Sequence, residues 1–228
     1  MVKFDALLNK SDIVETKPSE FHAEIYSDEC FSKEKAKSFW NDVFGKKGTF
    51  DEEEYLPEIF GCSEDEFKFI IDYTDKLTKC LNGFETDSWN EQSLEEKKER
   101  IDRLTKLIGE QLELKEMPYI SYFEGPDVMC GSFDQSKNTM ELNCILLDNP
   151  KELVNTIAHE LRHAYQYQRA MNPESLTDML YRLNFDNYIS PVCLGNGKYL
   201  YYTDYQDQLV EAEARAFAKQ FSKTEAAF

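Results

Sequence analysis

The stretch Thr156-Ile-Ala-His159-Glu160-Leu-Arg-His163-Ala-Tyr-Gln166 constrains this chain more than any other segment, and it holds two of the three histidines. On an α-helix, positions i and i+4 lie about 40° apart around the axis, so both imidazoles leave one face. That spacing lets two ring nitrogens reach one Zn²⁺ at about 2.0–2.1 Å. Glu160 follows the first histidine, where a carboxylate can take a proton from water and later hand it to a leaving amine. The flanking residues supply the helix. Asn149-Pro150 offers an N-cap and a proline at the first helical position, and Leu153, Ile157, Leu161 and Ala164 recur at helical spacing beside the histidine face. The bland alternative is an ordinary helix whose surface histidines bind nothing.

A catalytic zinc usually has three protein ligands and one open position. No histidine follows His163, which excludes a three-histidine set with a downstream member, and Cys193 stands isolated. The better candidates lie in Gln208-Leu-Val-Glu211-Ala-Glu213-Ala-Arg215-Ala-Phe217-Ala218, a second strongly helical stretch. Glu211 and Glu213 face directions about 160° apart, so only one can turn toward a metal. Both flank the apolar stripe of Val210, Ala214, Phe217 and Phe221, and the helical wheel does not choose between them. The neighbours of Glu211 on the wheel, Ala214 and Ala218, are small enough to let this helix approach the histidine helix, which favours Glu211. The ordinary fate of either glutamate is a solvated helix charge.

Together the two segments resemble a minimal zincin metallopeptidase of the glutamate-ligand type, over roughly Met117 to Phe221. His159-Glu-Leu-Arg-His163-Ala-Tyr-Gln166 paired with Glu211-Ala-Glu-Ala-Arg-Ala-Phe-Ala218 is similar to a group of bacterial and phage metallopeptidases, some of them toxin-like, and to the metallopeptidase domain of the ImmA/IrrE family. The resemblance implies that His159, His163 and Glu211 hold Zn²⁺ and that Glu160 is the general base. One position departs from the broader pattern. Four residues after the ligand, where Asp or Asn often orients a histidine, this chain has Arg215, and a cation cannot accept an imidazole N–H. The acceptor must then come from elsewhere, or Arg215 pairs with Glu211 or Glu160.

The resemblance also implies an edge strand before the motif helix, to which extended peptide adds as a further strand. Val128–Phe133 and Asn138–Leu147 read as two strands joined at Asp134-Gln-Ser-Lys137, a plausible hairpin turn, and Tyr119–Phe123 reads as a strand before them. Peptide hydrolysis passes through an oxyanion that a Tyr, His or Arg donor usually stabilises. Tyr199, Tyr201, Tyr202 and Tyr205 crowd the segment leading to the glutamate helix, read as a loop. Tyr205 is the first choice because it stands nearest the helix start, although aromatic packing is the commoner role for each ring singly.

The remaining sequence sets bounds. At 228 residues the chain can bury a real core, and its aromatic content of 14% marks it as globular. A formal net charge of −18 argues against binding nucleic acid or anionic membranes, both of which need clustered Lys and Arg. The six cysteines form no C-x-x-C pair, sit singly in apolar patterns, and are expected to be reduced thiols. With no signal-peptide run and no transmembrane stretch in view, a cytoplasmic location is the default, with leaderless export still open.

The N-terminal half reads as helical and carries nothing catalytic. Phe31 to Phe44 is a helix candidate closed by Gly45. Ser63-Glu-Asp-Glu66 reads as a capping box opening a helix through Leu81, stopped at Asn82-Gly83. Ser93-Leu-Glu-Glu96 is a second capping box, before the stripe Ile101, Leu104, Ile108 and Leu112. Residues 84–92 read as a loop, and Pro173 to Arg182 as a short helix.

The expectation is an α+β chain: a mostly helical region over 1–115 and a zincin-like domain over 116–228, with a small sheet, a motif helix and a glutamate helix. Its function would be zinc-dependent hydrolysis of a peptide or protein substrate. The rival reading is a zincin-like module that binds partners without cleaving them.

Overall fold

The capping box at Ser93 forms as the sequence requires. Ser93 Oγ accepts from the Glu96 backbone N–H while Glu96 Oε2 accepts from the Ser93 N–H at 2.8 Å, and helix α3 (Leu94–Gln111) runs from it. This is seen in a computed structural model that describes residues 55–126, 129–194 and 199–221. The helix expected at Phe31–Phe44 lies outside the described residues. Before α3 come α1 (Asp75–Asn82) and α2 (Thr86–Asn90).

Two expectations fail in this region for identifiable reasons. Ser63 caps only the 3-10 turn Glu64–Glu66, and the helix predicted through Leu81 starts instead at Asp75, with Thr74 Oγ1 accepting from Leu77 N–H at 3.2 Å. Between them residues 67–72 alternate half-buried and exposed. Phe69 and Ile71 pack on the core while Ile70 is 100% exposed, the period of two that belongs to extended backbone. The predicted loop 84–92 contains α2, which turns Trp89 into the core. The indole N–H donates to the Leu147 carbonyl at 2.8 Å and the ring stacks on Phe84.

The sheet has the order β1-β3-β2. β1 (Tyr119–Phe123) runs parallel to β3 (Thr139–Asn143), and β2 (Gly131–Asp134) is antiparallel to it, so the sheet is mixed and both β1 and β2 are edges. The hairpin turn is built by Asp134. Its Oδ1 accepts from the Ser136 and Lys137 backbone N–H groups at 2.9 and 3.2 Å, and its Oδ2 pairs with Lys137 Nζ at 2.7 Å. The strand expected to reach Leu147 ends at Asn143. There the side chain accepts from Ile145 N–H and starts a 3-10 turn over Cys144–Asp148.

Asn149 then caps α4 (Pro150–Met171), its Oδ1 accepting from Glu152 N–H at 3.3 Å. α5 (Leu176–Asp186) opens on a Ser175–Asp178 capping box. The tyrosine-rich segment read as a loop carries a two-stranded ribbon, β4 (Val192–Cys193) with β5 (Tyr199–Leu200), and the short helix α6 (Tyr202–Gln206). α7 (Leu209–Phe221) follows.

The described chain forms two compact units, residues 68–165 with 216–221 and residues 55–67 with 166–215. The stripe Ile101, Leu104 and Ile108 of α3 shares one core with Met140 and Leu142 of β3, Leu153, Ile157 and Leu161 of α4, and Phe217 and Phe221 of α7. Among the described residues no helix is long and apolar enough to cross a membrane. Cys62, Cys80, Cys130 and Cys144 are free thiols.

Candidate metal centre

α4 is not the surface helix of the bland alternative. Its apolar stripe is fully buried, and Thr156, Glu160, Arg162 and Gln166 on its other faces are buried as well. His159 is half-buried and His163 is 9% exposed. One turn apart, they present their Nε2 atoms 3.0 Å from each other with the rings at 86°. Two nitrogens this close can both reach one ion at about 2.0–2.1 Å.

Of the two glutamates on α7, Glu211 is the one grouped with the histidines. One ligand atom from each of His159, His163 and Glu211 lies within 4.8 Å of the others. Glu211 is 1% exposed and Glu213 is 5% exposed, so neither is the solvated charge expected of a helical glutamate. Glu213 is occupied differently. It accepts from Gln166 Nε2 at 2.8 Å through Oε2 and from the Tyr181 hydroxyl at 2.8 Å through Oε1. Glu211 Oε1 accepts the Tyr188 hydroxyl at 2.6 Å.

Two braces align the helices that carry these groups. The Arg162 guanidinium lies over the rings of Phe69, Tyr165 and Phe217, at 4.8, 4.3 and 5.4 Å from their centroids. One turn further along α4, Gln166 Nε2 also donates to the Val210 carbonyl at 3.0 Å. Residue numbers rise on α4 as they fall on α7 across these contacts, so the pair is antiparallel. Ala212, Ala214, Ala216 and Ala218 are all buried along α7.

The donor set suits zinc: two imidazoles and one carboxylate buried deeply enough that its charge requires a cationic or hydrogen-bonding partner. Glu160 sits on the histidine helix beside the edge strand. A Cβ built on Gly131 would lie 2.7 Å from Thr156 Cγ2 and 3.5 Å from Glu160 Cγ, so β2 passes α4 at these two side chains, in a space only glycine leaves open. Cys130, the residue before, has its thiol pushed up by burial and then by the charges of Glu152 and Glu160, with Thr156 opposing.

The remaining sequence-derived candidates find other places. Arg215 Nη2 donates to the Gln206 carbonyl. Tyr205 packs edge-on against Tyr188 at 6.2 Å and beside Tyr202 at 6.3 Å, one ring removed from the hydroxyl that reaches Glu211. Tyr188 went unnoticed in the sequence because it follows α5 without any periodic or motif signal. No family model matches the chain, and neither does any curated protein or solved structure.

Proposed function

We propose that this chain is a zinc-dependent peptide hydrolase with a zincin-like arrangement, in which His159, His163 and Glu211 hold the metal and Glu160 is the general base. The observation that carries this reading is the meeting of a buried glutamate on α7 with two histidines one turn apart on α4, one of them followed directly by Glu160. Held by these residues, Zn²⁺ would supply Lewis acidity toward a carbonyl and toward water. Glu160 accepts the proton from the attacking water and delivers it to the leaving amine. Its burial under β2 limits access of bulk solvent to that proton. The edge of β2 offers backbone groups for an extended substrate, and Tyr205 remains the candidate donor to the oxyanion.

Elemental analysis of the purified chain after equilibration with limiting zinc tests the metal set. One zinc per chain is expected in the wild type and in Glu213→Ala, and none in Glu211→Ala. Incubation with unfolded polypeptides then tests the chemistry: Glu160→Gln should retain zinc and lose cleavage. A wild-type chain without zinc, or a Glu160→Gln variant that cleaves at the wild-type rate, refutes the reading. Zinc with no cleavage of any polypeptide would favour the binding module.

A further inference from the structure

The Tyr188 hydroxyl that donates to Glu211 is held by more structure than a chance contact needs, and the inference from it rests on the metal centre proposed above. Tyr188 stands just past α5, and its O–H meets Glu211 Oε1 at 2.6 Å, the length of a charge-assisted bond. The backbone beside it is clamped. Gln208 Oε1 accepts from Ile189 N–H at 3.2 Å, and Gln208 Nε2 donates to the Ile189 carbonyl at 2.8 Å. Gln208 is in turn gripped by Asn184, whose Nδ2 donates to Gln208 Oε1 at 3.0 Å while its Oδ1 accepts from Val210 N–H at 2.9 Å. Both amides are fully buried. They tie the Tyr188 segment to the first turn of α7, the turn that bears Glu211.

A carboxylate offers about four lone-pair sites on its two oxygens. A short hydroxyl contact at Oε1 takes one of them and competes with any ion that would bind through both oxygens. We propose that Tyr188 is a positioning residue: held by Gln208 and Asn184, its hydroxyl orients Glu211 to bind the metal through one oxygen. One-oxygen binding leaves a coordination position for the reactants, as a catalytic zinc requires.

A matched control lies nearby. Tyr181 makes the same kind of bond, hydroxyl to carboxylate at 2.8 Å, but to Glu213 rather than to Glu211. Tyr188→Phe and Tyr181→Phe in the full chain therefore each delete one hydroxyl and keep the ring. Zinc affinity would be measured by competition with a chromophoric chelator, the absorption spectrum would be recorded with Co²⁺ in place of zinc, and circular dichroism would verify folding. Tyr188→Phe should weaken zinc binding about 10- to 100-fold and dim the visible Co²⁺ bands as the coordination number rises. Tyr181→Phe should leave both within about twofold of wild type, because its carboxylate lies outside the ligand set. Unchanged affinity and spectrum in Tyr188→Phe would overturn the role while leaving the metal centre standing. An equal loss in both variants would overturn it in favour of general loosening of α7. A wild-type chain that takes up neither metal would overturn the centre itself, and this role with it.

Discussion

Gln166 on α4 and Glu213 on α7 are joined by a fully buried hydrogen bond of 2.8 Å, and the same Gln166 amide reaches the Val210 carbonyl. One side chain thus ties the second half of α4 to two positions on the first two turns of α7. Both glutamates of α7 are buried, Glu213 held by Gln166 and Glu211 bonded to Tyr188.

Removing the brace should be costly. Gln166→Ala deletes two buried hydrogen bonds and is expected to lower unfolding free energy by about 1–3 kcal/mol, read from urea midpoints. Gln166→Glu should be worse, because it sets a second carboxylate against Glu213. A midpoint unchanged in both variants would show that the brace contributes nothing.

Gly131 is where β2 meets the motif helix. A Cβ there would fall 2.7 Å from Thr156 Cγ2 and 2.9 Å from the Glu141 carbonyl oxygen. Gly131→Ala should destabilise by about 1–3 kcal/mol, since a strand backbone atom cannot yield cheaply. Adding Thr156→Ser removes the methyl and should restore part of that loss, which a double-mutant cycle would detect as coupling. Hydrolysis should fall in Gly131→Ala while zinc content holds.

Trp89 anchors the helical segment that the sequence presents as a loop. Trp89→Ala should cost about 3–5 kcal/mol. Trp89→Phe keeps stacking on Phe84 and loses the bond to Leu147, so its loss should be nearer 1 kcal/mol. Equal urea midpoints for the two variants would contradict this division.

The hairpin turn gives a pH signature. Burial pushes the Asp134 carboxyl up, but the hydrogen bonds from Lys137 and Ser136 and the Lys137 charge outweigh it, leaving its pKa below the ordinary value. A carboxyl lowered on folding stabilises above its unfolded pKa, and that contribution is lost as pH falls through the folded value. Asp134→Asn should therefore be less stable than wild type at neutral pH. The difference should shrink from about pH 4 downward. A gap in melting temperature that stays constant to lower pH would refute the assignment.

Near-neighbour physics made much of this molecule legible in advance. The cap at Asn149, the i and i+4 histidines, the apolar stripes of α4 and α7 and the Ser93 box depend on residues within a turn or two of each other, so periodicity and capping chemistry reveal them. The hairpin was readable for the same reason, because Asp134 bonds to residues two and three ahead. Features set by partners distant in sequence were not. Residues 67–72 run extended because Phe69 and Ile71 pack against a core assembled from far along the chain, which overrides a valid capping signal at Ser63. Trp89 makes a helix of a polar stretch because its indole reaches Leu147. That Glu211 rather than Glu213 is grouped with the histidines is tertiary too. The wheel treats them alike, and it is Gln166 and Tyr181 that occupy Glu213 while Tyr188 and the histidine pair surround Glu211. The candidate ligand types were written in local spacing; the pairing of α4 with α7 depends on contacts more than forty residues apart in sequence, which no local pattern encodes.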